Sequence, residues 1–158
     1  MKPAKNFKEL EKQLNEVLRD VMTKEVAEKV KDVQQEELEN EVYSSYQPYE
    51  YERRRDNGGL QDRDNMIATI TNYGGGLQLS VKNITKGDQD DYEIAGLIEY
   101  GHEGGHGDYS YPFNRDNTAW KFLRPRPFIE ESRKTLMKHG EHIDAMEKGL
   151  NKRGIKTL

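Results

Sequence analysis

The N-terminal forty residues carry the feature that most restricts the fold, an uninterrupted apolar stripe on an otherwise polar segment. No Gly or Pro occurs from Ala4 to Gln47. Apolar residues recur there at spacings near three and four, as one face of an α-helix requires. They are Phe7, Leu10, Leu14, Val17, Leu18, Val21, Met22, Val26, Val30, Val33 and Leu38. The pattern predicts a helix over residues 4–42, roughly 55 Å long, and we expect neighbouring subunits to cover part of it.

Composition sets the expected size of the core. Hydrophobic residues make up 33% of the 158 residues and charged residues 34%, with a net charge of −4. Because charges of both signs nearly balance and the apolar patterns are long, we expect a single folded domain over residues 1–158 rather than a disordered chain. A thin core favours further burial against other subunits.

Several classes of protein are disfavoured by what the sequence lacks. The chain has no Cys, which excludes disulfides, thiolate nucleophiles and Cys-based zinc sites. No apolar run reaches about 18 residues, so we expect no transmembrane helix and no membrane partner. The N-terminus lacks the apolar stretch of a signal peptide.

Charge is distributed unevenly along the chain. Residues 43–120 carry seven basic and thirteen acidic side chains, whereas residues 121–158 carry ten basic and five acidic ones. An acidic body with a basic C-terminal segment can dock with copies of itself or with an acidic partner. The isoelectric point near 5.7 argues against a dedicated duplex binder.

The centre of the chain predicts a β-hairpin. Residues 65–73 have strand composition, and Leu77, Leu79 and Val81 alternate with polar residues, as a strand with one buried face requires. The glycines at 74–76 supply the turn, so the pair should be antiparallel. With the loop residues around it, this region spans residues 58–121.

The segments after the hairpin are less regular until the last helix. Residues 92–100 fit a short helix or a strand, and we favour the helix; residues 101–121 read as an irregular loop. Apolar residues seven apart then predict an amphipathic helix over 127–150, with residues 151–158 frayed. They are Ile129, Leu136, Ile143 and Leu150. The expected fold is α+β: a small antiparallel β-sheet flanked by a long N-terminal helix and a C-terminal amphipathic helix.

One segment matches a metalloprotease pattern. His102-Glu103-Gly104-Gly105-His106 reads HExxH, which in zinc hydrolases works on a helix that places both His on one face. Four Gly at 101, 104, 105 and 107 make a helix there unfavourable by about 1 kcal/mol each. A glycine-rich surface loop is therefore the preferred interpretation, and a zinc-dependent hydrolase is retained as the alternative.

Other candidate ligands are weaker. The run Arg53–Arg55 and the neighbouring tyrosines could contact phosphates and stack on bases, which keeps a nucleic-acid-binding accessory protein as a second alternative. A solvated or subunit-facing patch is the preferred reading of these residues. His139 and His142 fit the polar flank of the last helix better than a metal site.

Three segments, in order, resemble the tail-completion (head–tail joining) proteins of tailed phages. Residues 58–66, Gly-Gly-Leu-Gln-Asp-Arg-Asp-Asn-Met, look like the family's Thr-Gly-x-Leu-x-x-Ser-Ile turn. Residues 95–102, Ala-Gly-Leu-Ile-Glu-Tyr-Gly-His, resemble its Ala-x-x-x-Glu-Phe-Gly-Thr segment. Residues 126–129, Arg-Pro-Phe-Ile, are similar to its Arg-Pro-Phe-Leu start of the last helix. Gly59, Asn65 and His102 depart from the pattern, as does the long loop over 102–121.

The resemblance implies a structural virion protein of the neck rather than an enzyme, with no cofactor. It implies a ring of several copies, six being the expected number, around a channel that DNA crosses without specific binding. Its partners would be itself and the neighbouring head-closure or connector and tail-terminator or tail-tube proteins, assembled in the host cytoplasm. The candidate interface and structural residues are Gly59, Leu60, Arg63, Glu99, Tyr100, Gly101, Arg124, Arg126, Pro127 and Phe128.

Physical reasoning assigns provisional roles to some of these positions. A Gly turn permits backbone angles that other residues resist. Glu99 beside Gly101 could anchor a tight turn between subunits. Prolines hold Arg124 and Arg126 extended, where they could pair with acidic groups on a neighbour; solvent exposure is the alternative. An acidic channel wall would repel phosphates and let DNA slide.

Overall fold

The long N-terminal helix is present and nearly matches the predicted bounds. The computed structural model describes residues 3–45, 52–87, 93–103 and 122–157. The helix begins after Asn6, whose side chain accepts a 2.9 Å hydrogen bond from the Glu9 backbone N–H, as an N-cap should. It comprises α1 (Phe7–Val21), a π-helical segment (Met22–Val26), α2 (Ala27–Glu37) and a second π-helical segment (Leu38–Tyr43).

The two π-helical segments keep the buried side of this helix in register. The Ala27 N–H bonds the Met22 carbonyl, so each π turn contains one residue more than an α turn. Residues five apart are thereby brought towards the same face. Val21 and Val26, and likewise Leu38 and Tyr43, are buried pairs with this spacing. Spacings of three and four alone did not predict this.

The predicted hairpin is confirmed. Strand β1 (Met66–Tyr73) pairs antiparallel with β2 (Gly76–Asn83), and Met66 lies opposite Asn83. Gly74 and Gly75 form the turn with φ of 57° and 82°, a region that favours glycine. The more buried face, which includes Ala68 and Val81, is the one that packs towards the long helix.

A short helix follows, as favoured from the sequence. Helix α3 spans Ala95–Tyr100. It leads into β3 (His102–Glu103), which pairs antiparallel with β4 (Phe122–Leu123). Residues 104–121, most of the predicted loop, lie outside the described residues.

The predicted single C-terminal helix over 127–150 is wrong, because two helices occupy that range. Helix α4 spans Phe128–His139 and α5 spans Glu141–Lys152. Between them Gly140 adopts a left-handed conformation, with φ of 70°, and its N–H bonds the Leu136 carbonyl at 2.9 Å. That geometry ends a helix, and glycine adopts it without a Cβ clash.

The two C-terminal helices run antiparallel along the long helix. The hydroxyl of Thr135 donates a 2.7 Å hydrogen bond to Glu37. Further along, Glu141 lies 3.6 Å from Lys29, and Gly149 lies against Val21. Residue numbers therefore rise along α4 and α5 where they fall along the long helix.

The core lies where the C-terminal half of the long helix meets the other elements. Its buried residues are Leu38, Val42, Tyr43, Leu60, Met66, Ala95 and Phe128. The seven-residue pattern predicted for the last helix is only partly buried, since Ile129 and Ile143 remain 39% and 55% exposed. The break at Gly140 changes which face each half presents. No helix within the described ranges is both long and apolar enough to cross a membrane.

The end of α5 is anchored by Arg153, whereas the sequence analysis expected residues 151–158 to be frayed. Arg153 donates from Nη2 to Asp20 at 2.6 Å and from Nη1 to Glu25 at 2.9 Å. Hydrogen bonds from Lys24, which has the larger effect, and from Arg153 lower the pKa of Asp20 below its ordinary value. These ion pairs hold the end of α5 against the junction of α1 and the first π-helical segment.

Gly149 tests this helix contact. A Cβ at residue 149 would collide with the Val21 side chain and approach Glu25 at 3.3 Å, so Gly149→Ala should lower the free energy of unfolding by about 1–2 kcal/mol. Urea denaturation measures the change. The matched control is Gly96→Ala in α3, where nothing lies within 4 Å of the added Cβ; that change should be neutral or stabilising. Equal effects of both substitutions would contradict the close packing.

Candidate functional site at the junction of three motif segments

The three segments that resemble the phage family meet in space. Leu60 from the first, Ala95 from the second and Phe128 from the third are all buried in the same core, with exposures of 5%, 4% and 0%. We call the region formed by residues 58–66, 95–102 and 126–129 the motif junction. Segments separated by about thirty residues each time thus form one structural unit.

Glu99 joins two of these segments. Its side chain is 5% exposed, and its two carboxylate oxygens accept hydrogen bonds from the Ile129 and Glu130 N–H groups at 2.8 and 3.0 Å. These N–H groups belong to the first turn of α4, where no helical carbonyl can pair with them. A negative charge is also favoured at this end of a helix. The Arg126 N–H adds a 2.9 Å bond to the Ile98 carbonyl.

The sequence had suggested a turn between subunits for Glu99, whereas its carboxylate bonds within the chain. Gly101 beside it has φ of 68° and ψ of −175°, a combination open essentially to glycine. It ends α3 and turns the chain into β3. Tyr100, which lies between Glu99 and Gly101, is 81% exposed. Of the two residues before Gly101, only Glu99 is therefore buried.

Gly59 and Leu60 are held by a buried polar network. A Cβ on Gly59 would collide with the backbone of Arg55, which explains glycine at this position. The Thr85 hydroxyl donates to the Gly59 carbonyl at 3.0 Å, and the Asn83 side-chain amide donates to the Leu60 carbonyl at 2.7 Å. Thr85 and Asn83 are 0% and 3% exposed. The end of β2 thereby fixes the loop that precedes β1.

Arg63 fastens the same loop to the long helix. Its guanidinium donates to Asp32 at 2.6 Å, to Gln35 at 2.9 Å and to the Glu28 carboxylate at 2.7 Å. The hydrogen bond from Arg63 lowers the pKa of Glu28 below its ordinary value, because the charged form is stabilised. Arg63 therefore contacts residues over about two turns of α2 from the loop side.

The remaining predicted site residues lie at the start of α4. Arg124 is exposed, whereas Arg126 and Pro127 are half-buried and Phe128 is fully buried. The Phe128 N–H bonds the Arg126 carbonyl at 2.8 Å. Arg124 lies at the surface, in the segment without helix or strand that precedes α4.

The basic run considered for nucleic-acid binding is engaged within the chain. The guanidinium carbons of Arg53 and Arg55 lie 5.2 and 4.8 Å from the centre of the Tyr43 ring, within cation–π range. Arg53 also donates to the Tyr43 carbonyl at 2.8 Å, and Arg54 donates to the Lys86 carbonyl at 2.6 Å. Burial raises the pKa of the Tyr43 hydroxyl. Sequence analysis missed this stacking, since Tyr43 and the arginines are separated by a proline-containing segment.

The HExxH segment does not begin as a helix. His102 and Glu103 lie in the extended strand β3. His106 lies outside the described residues. Within the ranges that the structure describes, no group of three His, Asp or Glu side chains is placed to hold a metal ion.

Acidification should expose the role of Arg63. Because the pKa of Glu28 is lower in the folded state, its contribution to stability is present above the unfolded pKa near 4.3 and is lost as pH falls through the folded value. We expect Arg63→Gln to lower the free energy of unfolding by about 1 kcal/mol at pH 7. The difference in the free energy of unfolding between the wild type and Arg63→Gln should narrow near pH 3, as urea titrations can measure. Arg124→Gln, which removes an exposed charge, is the control; a gap independent of pH would contradict the assignment.

Glu99 can be tested by an isosteric change. Glu99→Gln keeps the volume but turns an N–H₂ group towards donors of α4, so the free energy of unfolding should fall by about 1–3 kcal/mol. Chemical denaturation provides the measurement. Glu131→Gln removes a partly exposed carboxylate from the first turn of α4, and it should change the free energy of unfolding by less than about 0.5 kcal/mol. Indistinguishable values for the two variants would rule out the cap.

Comparisons with known proteins match most of the chain. The sequence model of the YomN family matches residues 6–152. The "SPbeta prophage-derived uncharacterized protein YomN" of Bacillus subtilis (strain 168) is 34% identical over 123 residues, which cover 78% of this chain and 74% of the relative. No solved structure is significantly similar. From the family match and this identity we conclude that the chain belongs to the YomN family.

Proposed function

We propose that this protein is a tail-completion, or head–tail joining, component of the neck of a tailed phage. The observation that carries the proposal is the motif junction, because three short segments that resemble this family in sequence order also pack together. One buried residue from each segment, Leu60, Ala95 and Phe128, contributes to the same core, as we expect if the three segments act as one unit. The prophage origin of the YomN relative supports a phage protein more generally.

The proposed role is structural rather than enzymatic. Glu99 and Arg63 of the motif junction, together with Asn83 and Thr85 at the end of β2, hold segments of the chain together. Such contacts favour a rigid scaffold that presents surfaces to other proteins. We propose that copies form a ring, with six as the expected number, between head-closure or connector proteins and tail-terminator or tail-tube proteins.

Charge supports a channel that does not retain DNA. Residues 43–120 carry thirteen acidic and seven basic side chains, and negative charge facing a channel repels phosphates. The three arginines at 53–55, the main basic run in that segment, have partners within the chain. In the proposed virion, DNA would pass the neck without specific binding.

Electron microscopy of phage lysates tests the joining role. A stop codon in this gene alone should leave DNA-filled heads and finished tails lying apart, since neither structure requires the joint for its own assembly. A wild-type copy supplied in trans should restore joined particles. Intact particles from the stop-codon lysate would contradict the proposal.

A complementing copy that carries His106→Ala separates the scaffold from the hydrolase alternative. The scaffold predicts full restoration of joined particles, because the substitution leaves the motif junction intact. Failure of this variant, when it is produced in normal amounts, would instead favour chemistry at the HExxH segment.

A further inference from the structure

The segment before the hairpin contains the one Asn-Gly step of the sequence, Asn57-Gly58. Both residues are exposed, and Gly58 has φ of 74°. A glycine after an asparagine leaves the backbone nitrogen unhindered, because glycine has no Cβ. That nitrogen can attack the carbonyl carbon of the preceding side-chain amide, a reaction that makes asparagine one of the thermolabile residues of proteins. The sequence at this step is therefore the one most open to deamidation.

The backbone nitrogen of Gly58 lies beside a carboxylate. Its N–H donates a 2.8 Å hydrogen bond to Oδ2 of Asp62. The other oxygen of Asp62 accepts a 2.9 Å hydrogen bond from the Asp64 N–H, so the carboxylate is oriented from two sides. A general base has to lie within about 2.6–3.2 Å of the atom whose proton it removes. Asp62 meets this requirement in the folded protein.

The turn around Asn57 is fixed at both ends by backbone hydrogen bonds. The Asn57 N–H bonds the Arg54 carbonyl at 2.7 Å, and the Asp62 N–H bonds the Gly59 carbonyl at 3.1 Å. Asp62 is also half-buried, whereas Asn57 is exposed. The carboxylate is therefore held next to the Gly58 nitrogen by the fold, while the side-chain amide that would be attacked is open to solvent.

We propose that Asn57 is a deamidation site and that Asp62 is its general base. The Gly58 nitrogen attacks the side-chain carbonyl carbon of Asn57 as its proton passes to the Asp62 carboxylate. A new N–C bond closes a cyclic succinimide, and the side-chain amide nitrogen leaves as ammonia with that proton. Water then opens the ring at either carbonyl, which gives aspartate or isoaspartate at position 57. Water is consumed and ammonia is released, so the reaction needs no further reactant.

The isoaspartate product fits this loop less well than asparagine does. It adds a backbone carbon directly before Gly58, and the next residue, Gly59, already packs so closely on the Arg55 backbone that a Cβ would collide with it. Arg55 itself has φ of 45°, a left-handed value that is uncommon for residues other than glycine. We therefore expect the modification to loosen the first segment of the motif junction and the core contacts of Leu60.

Peptide mass spectrometry of the full chain, incubated at physiological temperature and neutral pH, tests the site. Asn15 and Asn72 are exposed as well, but bulkier residues follow them. The deamidated fraction at Asn57 should rise at least about tenfold faster than at these two positions. A protein isoaspartyl methyltransferase should label the isoaspartate product. Deamidation at Asn57 that is no faster than at Asn15 or Asn72 would overturn the proposal.

The role of Asp62 is tested by an isosteric change. Asp62→Asn removes the base and should slow deamidation of Asn57 at least about tenfold. Asp64→Asn removes an exposed carboxylate from the same loop and should leave the rate unchanged. In concentrated urea, the wild type and Asp62→Asn should react at equal rates, because the unfolded chain no longer holds the carboxylate beside Gly58. A folded Asp62→Asn variant that reacts as fast as the wild type, or faster, would show that Asp62 is not the base.

The wild type alone provides a second test of Asp62, should Asp62→Asn fail to fold in circular dichroism. Deamidation of Asn57 should be faster in buffer than in concentrated urea, since the base lies near the nitrogen only in the folded state. A slower reaction in buffer would show instead that the fold protects Asn57, and it would reject the assignment of Asp62.

The effect on the motif junction is tested with the aged protein. The isoaspartate form, separated by anion exchange, should unfold at a lower urea concentration than the fresh protein. Asn57→Asp adds the same charge without the additional backbone carbon and should unfold like the wild type. Equal midpoints for the isoaspartate form and the wild type would contradict the loosening. These outcomes are independent of the joining role, because the reaction requires only the folded loop.

Discussion

The packing of the C-terminal helices along the long N-terminal helix is the contact on which the remaining structure depends. Helices α4 and α5 together follow the long helix antiparallel, from Phe128 beside Leu38 and Val42 to Arg153 beside Asp20. With only 33% hydrophobic residues in the chain, a continuous buried side of one long helix is an economical way to build a core. The π-helical segments serve this arrangement, because they rotate the apolar face back towards the body.

The motif junction is coupled to that packing through Glu99. A helix that begins after a proline without its own side-chain cap needs acceptors from elsewhere, and α3 supplies them from a buried carboxylate. The start of α4 is therefore located by α3, while Phe128 is located by the long helix. Arg63 and the network around Thr85 fix the preceding loop against the same surface. A substitution in any one of the three segments should therefore alter the packing of the other two.

Local patterns in the sequence predicted the elements, and contacts between distant residues were not predicted. Alternation of Leu77, Leu79 and Val81 beside a glycine pair defines a hairpin because period and turn are both local properties. The break at Gly140 had a local signal too: Lys138 and His139 before a glycine are typical of a helix end, but the seven-residue apolar repeat outweighed it. The Glu99 cap joins residues thirty positions apart, and periodicity contains no information about such a pair.

The division between satisfied and open surface favours an assembly component. The named polar groups of the motif junction find partners inside the chain, although buried carboxylates are costly to place there. Apolar side chains, by contrast, remain exposed along the first turns of α1 and at single positions of α4 and α5. Isolated exposed apolar residues are common in soluble proteins, but stripes on helix faces mark protein contacts more often. A chain whose polar contacts hold its own segments together, and whose apolar side chains are partly exposed, is suited to packing against neighbouring proteins.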